Sequence, residues 1–194
     1  MAVSWAAAGG VKPFGGDPSR LVIVGNSCGA HMAALLALPT TDFLPAELKS
    51  ERLRGFVGIS GIYSGPRFGT NPLTRILYGY VFLGAPSWDS CFALGHCSLA
   101  SSCRTDGDAG TALLSGMCPS LLLNSALDFG LYAHALDLAT ALGDSGVKVE
   151  GPHVIPGTNH FTMMTSVGRG TAGDREVVPR IASFVREVCG PAAA

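Results

Sequence analysis

Residues 21–38 constrain this chain most. LVIVG (21–25) is a continuous apolar run, rich in β-branched side chains and bounded by turn-forming residues. That combination predicts a strand buried on both faces, as in a parallel sheet. NSCGAHMAALLAL follows with no spacer, and Ala, Leu and Met, all strong helix formers, dominate it until Pro39 ends it. A strand that passes into a helix this abruptly must make a sharp, strained turn, which lifts Ser27 at its apex clear of the backbone. Small residues are needed where the two elements crowd, the role expected of Gly25 and Gly29. Gly25-Asn26-Ser27-Cys28-Gly29 fits G-x-S-x-G, a common pentapeptide that gains weight from the strand before it and the helix after it. The competing reading of Ser27 is a simple helix N-cap.

The rest of the chain extends the pattern. FVGIS (56–60) and PSLLLNS (119–125) read as further strands. VKVEGPHVIPG (147–157) reads as a fourth, irregular or near an edge because of its internal Gly–Pro. In LYAHALDLATALGDSG (131–146), Leu131, Ala135, Leu138 and Leu142 fall at helical spacing, with Gly146 as the C-cap. REVVPRIASFVREV (175–188) reads as an amphipathic helix with Pro179 in its first turn, where proline is tolerated. AVSWAAA (2–8) resembles a helix end, and GGVKPFGGDPSR a loop. Strands alternating with helices predict an α/β fold, a mostly parallel sheet flanked by helices. From Tyr63 to about Gly116 Gly, Pro, Ser and Cys are frequent, and helical signal is weak outside 71–83. Residues 64–116 are therefore read as an irregular lid inserted in a single domain spanning 1–194. Its Phe68, Leu77, Tyr78, Phe82 and Trp88 suit pocket lining or plain packing equally.

Composition narrows the function classes. Of 194 residues, 47% are apolar and 14% charged, enough for a sizeable core and far from a disordered chain. The net charge of −1 offers no basic surplus for nucleic acid or an anionic membrane. The first residues lack a signal peptide's charged and apolar regions, and no apolar run approaches the ~18 residues of a membrane span. A cytoplasmic protein is the expectation. Cys91, Cys97 and Cys103 are separated by five residues each, unlike zinc ligands, and with Cys28, Cys118 and Cys189 they read as free thiols. No metal or organic cofactor is expected. Oligomeric state leaves no mark in the sequence.

A serine hydroxyl is a poor nucleophile without a base. His160 follows the fourth predicted strand, and Asp128 follows the third. Loops there can hold His160 as the base and Asp128 as the carboxylate that orients it and stabilises the imidazolium. The backbone N–H of Cys28, at the start of the elbow helix, is the expected donor to an oxyanion. His31 is expected to pack on the elbow helix. His96 lies in the irregular region, His134 on a helix and His153 within a strand, and none follows a strand end as His160 does. Asp137 is a rival to Asp128 but falls mid-helix.

FGGDPSRLVIVGNSCGAHMAALLAL closely resembles the nucleophile-elbow region of α/β-hydrolases of the carboxylesterase type. The nearest groups are the feruloyl-esterase-like (BD-FAE-like) hydrolases, the kynurenine formamidases and the isoprenylcysteine methylesterases. The similarity continues through LRGFVGISGIY, PSLLLNSALDFG and AHALDLATALGDSGVKVEGPHVIPGTNHF into the last helix. It implies the C-terminal half of an α/β-hydrolase fold and a triad on Ser27, Asp128 and His160. It also implies cleavage of a small-molecule carboxylic ester through an acyl-enzyme on Ser27, without a cofactor. An arylformamidase or amidase with the same triad, and a non-catalytic fragment acting at most as a binding module, stand as alternatives. Two departures matter. No His-Gly-Gly loop precedes Ser27, and losing one oxyanion donor typically costs ~10²–10³ in kcat. The strands expected before residue 21 would then be missing, leaving the apolar edge of strand 21–25 unpaired, an aggregation hazard. That pattern fits an incomplete gene model or a truncated paralogue of an active hydrolase. Asn124 and Ser125 stand where the family often has His and Gly.

Overall fold

The computed structural model describes residues 2–38, 53–63, 72, 76, 114–165 and 167–190. Its frame is a sheet of four strands, β1 (Leu21–Asn26), β2 (Leu53–Ile59), β3 (Ser120–Leu127) and β4 (Val149–Asn159), side by side in chain order. All three pairings are parallel, with Val24 opposite Val57, Gly58 opposite Leu122 and Leu123 opposite His153. Parallel neighbours need a crossover between them, and among the described residues a helix follows β1 and another follows β3. A short α1 (Ala2–Trp5) precedes β1, and α2 (Cys28–Ala37) follows it. Helix α3 (Leu131–Asp144) joins β3 to β4, and α4 (Thr162–Thr165) and α5 (Ala172–Cys189) close the chain.

Alternation along β2 and β3 divides the core between the two faces of the sheet. Phe56 and Leu122 turn to one side, where they meet Ala30 and Ala34 of α2 and Leu138 and Leu142 of α3. Val57, Ile59, Leu121 and Leu123 turn to the other, against Met163 of α4 and Val177 and Phe184 of α5. The result is a three-layer α/β/α sandwich, as the alternation of elements predicts. Helix α3 ends in a Schellman motif: Val147 N–H donates to Leu142 O (2.9 Å) and Gly146 N–H to Gly143 O (3.0 Å), with Gly146 at φ 74°. Gly146 thus stands one residue beyond the cap, Ser145.

Several expectations are corrected. Strand β1 is only half-buried, and Val24 is 48% exposed, because among the described residues it has a strand neighbour on one side alone. Helix α5 begins at Ala172, which places Pro179 well inside it rather than in the first turn. Gly173 and Asp174, weak helix formers just before Arg175, hide the true start, and packing of Val177 and Phe184 holds the helix through the break in its ladder. The stretch after residue 8 is not all loop: a π turn over Ala6–Gly10 and a 3-10 turn over Lys12–Phe14 carry the chain towards β1. Strand β2 begins at Leu53, three residues before the apolar run; β3 starts one residue and ends two residues later than predicted, and β4 is shifted two residues along the chain. β4 is irregular at an edge, as its Gly–Pro implies, with a cis Gly151–Pro152 bond. Pro39, His96, Cys91, Cys97, Cys103, Phe68, Leu77, Tyr78, Phe82, Trp88 and nearly all of the 64–116 insertion lie outside the described residues. Among the described residues no helix is long and apolar enough to cross a membrane.

The loop before β1 is a latch. Asp17 Oδ1 accepts from the Ser19 amide (2.9 Å) and hydroxyl (2.6 Å), and its Oδ2 accepts from Arg20 Nε (2.7 Å). Arg20 Nη1 in turn donates to Cys189 O at the end of α5 (3.2 Å). The Ser19 hydroxyl and amide, then Arg20, hold the Asp17 carboxyl at about 2, below its ordinary 3.8. A depressed carboxylate stabilises the fold above its unfolded pKa and stops doing so as pH falls through the folded value. Asp17→Asn is therefore expected to lower the melting temperature at neutral pH. The gap to wild type should close as pH falls from 3.8 towards about 2 in thermal melts.

Candidate active site

Three strands of one parallel sheet end at the same edge, and each delivers one residue of the site. Ser27 follows β1, Asp128 follows β3 and His160 follows β4. Ser27 sits at φ 57°, ψ −124°, a conformation that costs a non-glycine residue about 1–3 kcal/mol. Its surroundings impose that shape. Ser27 N–H donates to Ile59 O (2.9 Å), and Ser27 O accepts from Ala30 and His31 N–H (3.0 and 3.3 Å). A Cβ at Gly25 would lie 2.2 Å from Gly29 O and 2.6 Å from Ala30 N, so only glycine lets the helix start this close to the strand. Gly29 is different: a Cβ there meets nothing within 4 Å. The crowding expected at both glycines exists at Gly25, and Gly29 supplies only the backbone that crowds it.

Ser27 occupies the N-cap position of α2, but its side chain makes no capping hydrogen bond. Its Oγ instead lies 2.9 Å from His160 Nε2, while His160 Nδ1 lies 2.8 Å from Asp128 Oδ1. With Nδ1–H donating to the carboxylate, Nε2 is the acceptor facing the serine hydroxyl. Both partners are withdrawn from water, the His160 side chain at 12% exposure and Asp128 at 4%. The loop carrying His160 is fixed locally. Asn159 Oδ1 accepts from Phe161 and Thr162 N–H (3.0 and 2.8 Å), and His160 N–H donates to Leu127 O (3.0 Å).

Asp128 has a second holder. Its Oδ2 accepts from Asn124 Nδ2 (2.8 Å), and Asn124 is fully buried. Asn124 is visible in the sequence only as a departure from the family's histidine, and its place behind the carboxylate appears only when β3 and the turn after it are built. Ser125, the other departure, donates its hydroxyl to Leu127 O (3.2 Å), within the same turn. Burial, and then the charge of Asp128, drive the Tyr63 phenol well above its ordinary range. Cys28 is exposed and opens α2, so its N–H has no acceptor within the helix.

The rival residues lie elsewhere. His31 Nδ1–H donates to Ile62 O (2.8 Å), and burial lowers its pKa, which keeps it neutral. His134 is buried in α3, the helix that also holds Asp137, and His153 lies in β4. Burial pushes the Cys118 thiol up to about 11, an inert position. Among the described residues no group of His, Cys, Asp or Glu side chains is arranged to hold a metal.

The fold is that of an α/β-hydrolase, in part. The chain is similar to a fungal esterase of Rhizomucor miehei (TM-score 0.71, 19% identity, 96% of this chain and 57% of that one). It is also similar to a thermophilic carboxylesterase cloned from a metagenomic library (0.68, 20%, 98% and 62%) and to a thermostable esterase from Pseudomonas putida (0.59, 22%, 96% and 54%). In sequence, 89 residues are 32% identical to an isoprenylcysteine alpha-carbonyl methylesterase of Arabidopsis thaliana, covering 42% of this chain and 20% of that protein. No family model matches. The chain thus spans little more than half the length of its structural relatives and a fifth of the methylesterase.

The two elbow glycines give a direct test. Gly25→Ala is expected to destabilise the fold by about 1–3 kcal/mol or more, since backbone must move. Gly29→Ala should be neutral or stabilising by up to about 1 kcal/mol, as helix propensity dictates. Denaturant melts of the two variants would show equal effects if the elbow were not packed this way.

Proposed function

We propose that this chain carries the catalytic apparatus of a serine hydrolase that cleaves a carboxylic ester. The observation that carries the reading is the unbroken relay from Ser27 Oγ through His160 to Asp128, at 2.9 and 2.8 Å. The strained backbone at Ser27 supports it, and so does the esterase character of the proteins whose fold it shares.

In this reading Ser27 Oγ attacks the ester carbon while His160 Nε2 takes its proton. Asp128 keeps the imidazole in the tautomer that can accept that proton and stabilises the imidazolium that results. Asn124 stops the carboxylate from rotating away by occupying its second oxygen. The negative charge on the tetrahedral oxygen is met by the Cys28 N–H and the positive end of α2. Collapse breaks the C–O bond, His160 returns the proton to the departing alkoxide, and Ser27 is left acylated. Water, deprotonated by His160, then attacks the acyl carbon, the bond between that carbon and Ser27 Oγ breaks as His160 returns the proton to Oγ, and the acid leaves. Water is the only co-reactant the balance needs.

A fluorophosphonate probe tests the nucleophile. The folded chain is expected to label, and Ser27→Ala to abolish the label without changing its circular dichroism. A folded chain that does not label is a binding module at most. Asp128→Asn should preserve the fold but lower kcat about 10⁴-fold, since the amide selects the wrong histidine tautomer.

A further inference from the structure

Three apolar side chains stand around His160 with much of their surface in water. Leu127 is 73% exposed, Phe129 47% and Phe161 68%. The Phe129 and Phe161 rings each lie 5.6 Å from the imidazole, centroid to centroid, and 6.3 Å from each other, all edge to face. Together with Asp128 and Asn159 they line a cleft of about 400 Å³. Apolar surface left open beside a reactive group is binding surface.

Phe129 adds a second, independent observation. It is held at φ 50°, left-handed backbone that a bulky side chain adopts only at a cost. The turn explains why some residue must sit this way: Asp128 has to leave β3, and Leu131 N–H closes back on Asp128 O (2.8 Å) to start α3. Glycine or asparagine would make that turn with less strain. What phenylalanine adds is its ring, and the residue stays 47% exposed beside His160.

We propose that Phe129 and Phe161 form the subsite for the alcohol half of the substrate, and that this alcohol is aromatic or similarly bulky and apolar. The proposal rests on the ester-hydrolase reading. Its reasoning is the path of one proton. His160 Nε2 must reach Ser27 Oγ and then the leaving oxygen, so the first carbons of the alcohol pass within a few Å of the imidazole. Rings that flank the imidazole therefore touch the leaving group. With the carbonyl oxygen on the Cys28 N–H and the leaving oxygen on His160, the acyl chain takes the one position left on the tetrahedral carbon. Once the alcohol has gone, the rings have nothing to hold. Alcohol selectivity must then appear in acylation and be absent from deacylation.

The test is a series of acetate esters, with methyl and benzyl acetate as its ends. Both give the same acetyl-enzyme, and the two alcohols are similar leaving groups. The benzyl ester is expected to exceed the methyl ester in kcat/KM by about tenfold or more, with one shared deacylation rate. Phe129→Gly and Phe161→Ala should each cut that ratio severalfold. Phe129→Gly should do so with little change in melting temperature, because relief of the positive φ offsets the lost contacts, whereas a packing role would lower the melting temperature and leave the ratio alone. A benzyl-to-methyl ratio near one in the wild type, or a ratio untouched in both variants, would overturn the subsite while leaving the esterase reading intact. Binding of benzyl acetate to Ser27→Ala, followed by NMR shifts of the His160 and Phe161 rings, separates the two ideas. Such binding without turnover by the wild type sustains the subsite and overturns the esterase.

Discussion

Everything in the site depends on the four strands running the same way. Had any pair been antiparallel, one of Ser27, Asp128 and His160 would sit at the far end of a strand, some 20 Å away. Parallel pairing brings all three strand ends to one edge, and the register then sets their separation to hydrogen-bond distances. Helices α2 and α3, which carry the chain back, bury one face of the sheet, and α4 and α5 bury the other. The packing that stabilises the fold and the geometry that aligns the relay are therefore one arrangement.

Strain is concentrated at that edge. Among the described residues, the non-glycine residues with positive φ are Ser27, Ser60 and Phe129, just beyond β1, β2 and β3. Each has a job that regular backbone cannot do. Ser27 presents its hydroxyl, and Phe129 presents its ring. Ser60 turns so that its N–H reaches Leu123 O (2.8 Å) and its Oγ accepts from Ser125 N–H, tying β2 to the strand that bears Asp128. Native backbone rarely tolerates such conformations unless the surroundings over-determine them, and here the sheet and its helices do so.

The sequence made the relay legible because each member follows a strand whose apolar run is visible, and Ser27 is bracketed by two unmistakable elements. Asp128 and His160 needed only the rule that parallel strands end together. What stayed hidden depends on distance in space. The difference between Gly25 and Gly29 lies in which atoms the turn brings together, and no pattern of letters carries it. Pro179 misled because proline usually marks a helix start, and here the packing of Phe184 and Val177 outweighs its missing hydrogen bond. Asn124 behind Asp128 and the strained Phe129 are likewise products of the turn after β3.

The latch before the nucleophile strand has a consequence for how the chain is made. Arg20 is tied to the carbonyl of Cys189, 169 residues later. During synthesis, the root of the elbow strand must wait for almost the whole chain before its anchor exists. At ~5–20 residues per second that is on the order of ten to thirty seconds for a nascent chain. Over that interval β1 and its half-exposed apolar side chains stand without their final clamp.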